Sequence, residues 1–186
     1  ALHWSDGHSV QLVLVDNGST DDSSQWMEDT SGVDPRIKVI HVDHAIGDAA
    51  AKNIGIKCAT GHIVVMLDTS VEVTGDIYSP LQTMLNDGSV GVAGPFGLVT
   101  EDLRHFEEVE VLREVDAIQG YCFAFRRVDV EKVGLMPETF RFYRNLDIHY
   151  SFFFRDVGLR IMANPKIPMR RHIHRAWSEL GEEERD

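Results

Sequence analysis

Apolar residues in this chain come in short runs separated by turn-forming residues. Residues 12–15 (Leu-Val-Leu-Val) form one such run, closed by Asp16-Asn17-Gly18, which predicts a buried strand ending at a sharp turn. Ser19, Thr20, Asp21 and Asp22 follow as capping side chains, so a helix is expected from Ser23 to about residue 30. Asp34-Pro35 marks the next turn and residues 37–42 the second strand. Residues 47–59, rich in Ala, Lys and Ile, read as a helix with Gly61 as its C-terminal breaker. Residues 62–67 are a third apolar run, again ending at an aspartate, Asp68. A helix over 76–86 and a strand over 90–93 complete a regular first half. Strands alternating with helices predict an α/β fold: an open, mostly parallel sheet with helices on both faces. Ligands of such sheets sit beyond the carboxyl ends of the strands, so Asp16 and Asp68 are expected to face one crevice above neighbouring strand ends.

The second half is less regular. Residues 106–115 mix charges with valines and fit either a long edge strand or a flexible excursion. Residues 117–126 form a clearer strand, followed by a short helix to Val133 and a turn at Gly134-Leu-Met-Pro137. A helix is expected over 145–156 and a late strand over 159–163. There is no internal repeat and no low-complexity tract. One domain over residues 1–186 is the economical reading, in two unequal halves over about 9–93 and about 94–178.

Composition narrows the class. A chain of 186 residues with 43% hydrophobic content has room for one sizeable core. Eighteen basic against thirty acidic residues give a net charge of −12, which argues against a nucleic-acid partner. A small phosphate ligand stays compatible, because local amides, a metal ion or a single Lys can offset the global charge. The two cysteines, Cys58 and Cys122, sit inside apolar segments and read as buried thiols, favouring a cytoplasmic setting. No signal peptide and no membrane span is apparent.

The segment from Leu12 to Ser23 resembles the nucleotide-binding signature of family-2 glycosyltransferases, which have the GT-A fold. In that family the residue at the place of Asp16 contacts the nucleotide base. Further segments match along the chain. Leu67-Asp68-Thr69-Ser70-Val71 stands where the family has Asp-x-Asp, so Asp68 takes the place of an aspartate that contacts ribose or a divalent metal (Mn or Mg). Ser70 replaces the second carboxylate, a poor exchange for a hard cation, with Glu72 as a possible substitute. Ala49-Ala-Ala-Lys-Asn-Ile-Gly55 is similar to the Ala-Arg-Asn-x-Gly segment, which turns Lys52 toward the nucleotide; Gly47-Asp48 just upstream would offer amides to phosphate. Gly120-Tyr-Cys-Phe-Ala-Phe-Arg-Arg127 resembles the family's Gly-to-Arg-Arg strand. Gly120 either admits the donor sugar against the backbone or marks a bend in the strand.

Asn145-Leu-Asp-Ile-His149, leading to Gly158, resembles the family's Glu-Asp-x-Asp helix. On that spacing Asp147 matches the general base, Leu146 replaces the Glu and His149 the last Asp. A helix start lowers a carboxylate's pKa and burial raises it, so its strength as a base depends on its surroundings. Beyond the last strand, His172 or His174 matches a histidine that completes the family's metal site, and Arg170, Arg171 and Arg175 are placed to neutralise a diphosphate. The resemblance also implies one more strand and helix ahead of Leu12, so the chain reads as an N-terminally truncated piece of a longer protein. On that reading nucleotide binding is weaker here than in the longer protein.

The resemblance implies inverting transfer of a sugar, of the hexosyltransferase type, from a nucleotide-diphosphate donor to a hydroxyl of a saccharide, lipid or protein acceptor. The alternative is a glycosyltransferase-like nucleotide-sugar binding module without turnover, which Ser70 and Leu146 favour. A nucleotidyltransferase on a similar sheet lacks its Gly-rich basic loop here.

Overall fold

The computed structural model describes residues 1–139 and 145–172. The first half runs β1 (Leu12–Asn17), α1 (Ser23–Val33), β2 (Ile37–Val42), α2 (Asp48–Cys58), β3 (Ile63–Leu67), β4 (Val71–Val73), α3 (Tyr78–Leu85) and β5 (Val90–Gly94). The second half continues with β6 (Gly97–Val99), β7 (Glu107–Glu108), β8 (Arg113–Val115), β9 (Ala117–Ile118) and β10 (Cys122–Arg126). It then passes through α4 (Val130–Val133), α5 (Leu146–Asp156), β11 (Arg160–Ala163) and β12 (Met169–Arg171).

The α/β architecture expected from the alternation is present, with a mixed ladder. The largest sheet has the order β3-β10-β5-β11-β8. β3 and β5 are both antiparallel to β10 and hence parallel to each other, as their connection through α3 demands. They are not neighbours, because β10 returns from the excursion after β6 and inserts between them. β11 runs parallel to β5, and β8 caps the edge antiparallel to β11. β1 and β2 form their own parallel pair, in register from Leu12 opposite Ile37 to Asn17 opposite Val42. Among the described residues no ladder joins β1 to β3. The expectation that Asp16 and Asp68 end neighbouring strands is corrected on this point: a helical crossover fixes strand direction, not adjacency.

The core follows from the two-residue period of β10. Phe123 and Phe125 face α5 and meet Tyr150 and Phe154. Cys122 and Ala124 face the other way, where small side chains let α3 bring Ile77, Leu81 and Leu85 against the sheet. Ring centroids in the aromatic cluster lie 5.3–6.2 Å apart, within the range of favourable offset and edge contacts. The Tyr150 hydroxyl donates to the Gly134 carbonyl at 2.9 Å, so the one polar atom of the cluster is satisfied. Burial pushes the Cys122 thiol up to about 12, which leaves it an inert packing group; neither cysteine is in a disulfide.

Several local expectations shift. The strand expected over 117–126 is interrupted at residues 119–121, between β9 and β10. The excursion over 106–115 forms two short strands, β7 and β8. α2 ends at Ala59 with an extended residue, so Gly61 is not its left-handed cap. Asp22 makes no side-chain cap to α1; Asp21 accepts the Ser23 amide instead. Among the described residues no helix is long and apolar enough to cross a membrane.

Candidate functional site

Asp16 sits at the penultimate position of β1 and is buried. Its Oδ1 accepts the Ser19 amide at 2.9 Å, while Oδ2 accepts the Ser24 hydroxyl and faces His41 Nδ1 at 3.0 Å. Hydrogen bonds from Ser19, Ser24 and His41 outweigh the cost of burial and hold its pKa far below the usual carboxylate range. The turn beyond it is equally constrained. Gly18 has φ +75°, and a Cβ there would come within 2.6 Å of the backbone at His44 and Ala45. Asn17 Oδ1 accepts the Ile46 amide at 2.9 Å, tying β1's end to the segment that opens α2.

One turn into α2, Lys52 Nζ lies 2.5 Å from Asp48 Oδ2. The next residue, Asn53, is buried and bridges to the chain after α4, donating to Met136 O at 2.9 Å and accepting the Met136 amide at 3.0 Å. This fixes the helix against the second half.

The break at 119–121 is where the two halves of the site meet. Gly120 donates its amide to Asp147 Oδ2 at 2.5 Å, and Tyr121 O accepts the Asp68 amide at 3.1 Å. A Cβ on Gly120 would stand 3.3 Å from Asp147 Cβ and 3.4 Å from Oδ2, so a bare backbone is what brings the carboxylate this close. Asp147 lies in the first turn of α5, where its Oδ1 also takes the Ile148 amide at 2.9 Å. Asn145, just before, adopts φ +63° to start the helix. Burial raises the Asp147 pKa, opposed by the amides of Gly120 and Ile148 and by the charge of Lys52. Desolvation therefore wins over the helix start.

Asp68 follows β3 directly. Its Oδ1 accepts both the Ser70 amide at 2.8 Å and the Ser70 hydroxyl at 2.5 Å. The short antiparallel pair β4–β12 carries the C-terminal basic segment back to this point, and the His172 amide donates to Ser70 O at 2.8 Å. His172 Nε2 lies 3.2 Å from Glu72 Oε2, so Glu72 meets His172 and Arg170 rather than water alone. Arg171 stacks over Phe96, 4.3 Å from its centroid, and Tyr121, 5.3 Å away, and is gripped by both Glu108 oxygens at 2.9 and 3.1 Å. Phe96 and Glu108 lie in no matched segment, and only the folded chain assembles them with Tyr121. His174 lies outside the described residues. Among the described residues no three His, Cys, Asp or Glu side chains form a metal-ligand cluster. Asp68 and His172 give at most two protein ligands, which fits a hard cation only if ligand oxygens complete its shell.

Three of the matched segments thus meet directly around residues 119–121, through Asp68, Gly120 and Asp147, and a fourth reaches them through the charge of Lys52 on Asp147. Asp16 belongs to the β1–β2 pair and connects to them through the start of α2.

The family model described as glycosyl transferase family 2 matches residues 4–152. An uncharacterized glycosyltransferase of Haemophilus influenzae is 28% identical over 149 residues, covering 78% of this chain and 59% of that protein. Glycosyltransferase GlyG of Streptococcus pneumoniae is 30% identical over 84 residues, covering 45% of this chain and 28% of that protein. The chain therefore spans only part of the length of these relatives. Two solved structures share the fold. GalNAc-T7, determined with UDP, GalNAc and Mn2+, superposes with a TM-score of 0.75 at 15% identity, over 92% of this chain and 39% of its own. The mannosyltransferase PcManGT from Pyrobaculum calidifontis, determined with GDP-Man and Mn2+, gives 0.68 at 20% identity, over 84% of this chain and 46% of its own. With a family model matched across most of its length and the GT-A fold of these neighbours, the chain belongs to glycosyl transferase family 2.

Proposed function

We propose that this domain binds a nucleotide-diphosphate sugar and catalyses inverting transfer of the sugar, of the hexosyl type, to a hydroxyl of a saccharide, lipid or protein acceptor. The observation that carries the reading is Asp147. It is a half-buried carboxylate with a raised pKa, held by the Gly120 amide beside the segment that also holds Asp68. A base with its pKa moved toward neutrality removes a hydroxyl proton more effectively than an ordinary carboxylate. In the step proposed, the acceptor oxygen forms its bond to the anomeric carbon as its proton passes to Asp147. The bond to the diphosphate breaks on the opposite face, and the electron pair leaves with the diphosphate.

Donor recognition falls to the first half, over about residues 9–93, and acceptor binding to about 94–178. Asp16 is an ionised carboxylate at the end of β1, oriented by hydrogen bonds from Ser19, Ser24 and His41. A carboxylate acceptor suits a base that offers a ring N–H, as uracil and guanine do, and the two structural neighbours were determined with UDP and GDP-Man. Lys52 and Arg171 are the cations placed for the diphosphate. A divalent cation, Mn or Mg, held by Asp68 and His172 together with diphosphate oxygens would add charge on the leaving group. A cytoplasmic setting fits the two unpaired cysteines.

Ser70 in place of a carboxylate and Leu146 in place of Glu favour the second reading, a binding module without turnover. Both readings require nucleotide binding at Asp16. Calorimetric titration with UDP, GDP, CDP and ADP should rank UDP or GDP first. Asp16→Asn should weaken that ligand about tenfold or more, the worth of a hydrogen bond to a charged group. Equal binding of all four, unchanged by the substitution, would remove Asp16 from the site.

A further inference from the structure

His41 belongs to none of the matched segments, yet both of its ring nitrogens are engaged. It lies near the end of β2, opposite Asp16 in the β1–β2 register. Nδ1 is 3.0 Å from Asp16 Oδ2 and Nε2 is 2.6 Å from Glu28 Oε1, on α1. An ionised carboxylate only accepts hydrogen bonds, so a ring bonded to two of them carries a proton on each nitrogen. The geometry therefore calls for an imidazolium. The groups that face the ring are both acids, Asp16 from β1 and Glu28 from α1, and their hydrogen bonds and charges raise its pKa above 6.5 against a smaller opposing effect of desolvation.

We propose that His41 is a positioning residue for the donor nucleotide: as an imidazolium clasped between Asp16 and Glu28, it fixes the orientation in which the Asp16 carboxylate meets the ligand. Oδ2 is filled by the Ser24 hydroxyl and His41, while Ser19 holds the carboxylate through its amide on Oδ1 and through its side chain. When the ring loses a proton, one nitrogen presents a lone pair to a carboxylate. One side of the clasp then opens, and the carboxylate is free to turn. Nucleotide affinity should therefore be highest when His41 is protonated and fall as pH rises through its pKa. The proposal rests on Asp16 as the nucleotide contact, whereas the clasp itself does not.

The test has two arms on the whole protein. Nitrogen-resolved NMR of the histidine rings follows His41 against pH, and calorimetry with UDP and GDP follows affinity from about pH 6 to about pH 9. His41→Asn keeps a donor near the Nδ1 position without a charge, and serves as the reference that cancels titration of the nucleotide phosphate. We expect His41 to titrate above 6.5 with both nitrogens protonated below that point. Wild-type affinity should fall roughly tenfold across the transition while His41→Asn stays flat, and His41→Ala should be weak at every pH. Glu28→Gln should move the wild-type midpoint to lower pH, because it removes one of the two charges that hold the ring protonated. A His41 pKa at or below 6.5 overturns the clasp. Parallel pH profiles for wild type and His41→Asn overturn the positioning role even if the clasp exists. Failure of every nucleotide to bind overturns the nucleotide reading and the positioning role with it, and the ring's own titration still decides the clasp.

Discussion

At the scale of single residues, the site depends on how closely a carboxylate is held to a backbone. Asp147 contacts Gly120 through its amide at 2.5 Å, and the space where a Cβ would sit is bounded by Asp147 itself at 3.3 Å. Gly120→Ala should thus displace the carboxylate by a few tenths of an ångström with no backbone strain. Misplacement on that scale reduces rate more than stability. The expected result is donor turnover lowered about tenfold or more with a thermal midpoint within a few degrees of wild type, measured by nucleoside diphosphate release and calorimetric melting. Unchanged turnover would show that the contact is incidental. Asp147 also illustrates what a sequence carries and what it does not. Its spacing from Gly158 matches it, by resemblance, to the family's general base. Whether the helix start or burial governs its proton depends on Gly120, twenty-seven residues away in the chain, and on Lys52 across the fold.

At the scale of elements, long and strongly patterned segments were legible and short ones were not. β2 runs over Ile37–Val42, as the apolar run there predicts, and α1, α2, α3 and α5 all occur where the pattern places them. β4 and β12 are three residues each, too short to show any period, yet their pairing is what carries His172 to Ser70. The same shortness hid the Arg171 clasp, because Glu108 lies on a two-residue strand and Phe96 in a connection. Strand order was also hidden, since β10 enters between β3 and β5 from a distant part of the chain. The β4–β12 pairing has a testable consequence. With Asp68 and His172 as the protein ligands, Mn2+ should bind weakly to the free protein and tightly only in the presence of UDP or GDP. His172→Ala should weaken the ternary complex without changing metal-free nucleotide binding. Titration of Mn2+ by electron paramagnetic resonance checks this, and tight binding to the free protein would point to ligands other than these two.

At the scale of the whole molecule, acid carboxylates tie several turns together. Asp16 is held well below its ordinary pKa by Ser19, Ser24 and His41, and Asp34 (beside Arg36) and Asp102 (capped by the His105 amide) are each lowered to about 2. A carboxyl whose folded pKa is depressed stabilises the fold above its unfolded value near 3.8, and loses that contribution as pH falls toward the folded value. Stability should accordingly decline from about pH 4 downward, as the protonation-linked slope requires. Asp16→Asn should be less stable than wild type at pH 7, with a shallower decline below about pH 4, because one proton fewer is taken up on unfolding. Urea unfolding at a series of pH values measures both slopes, and identical slopes would mean that Asp16 does not sit in the hydrogen-bond network described.

The central claim is that Asp147, half-buried at the start of α5, acts as the base in sugar transfer from a nucleotide donor. The most direct measurement is release of nucleoside diphosphate from a panel of nucleotide sugars, by the wild-type protein and by Asp147→Asn, with donor affinity measured alongside. The substitution keeps size and most hydrogen bonding while removing basicity. The account predicts that at least one donor is turned over, and that Asp147→Asn lowers its rate by ~10²–10⁴-fold while leaving donor affinity within about twofold. Equal rates for the two proteins would make Asp147 a helix-start carboxylate only, and binding without turnover of any donor by the wild type would contradict catalysis in favour of the binding module.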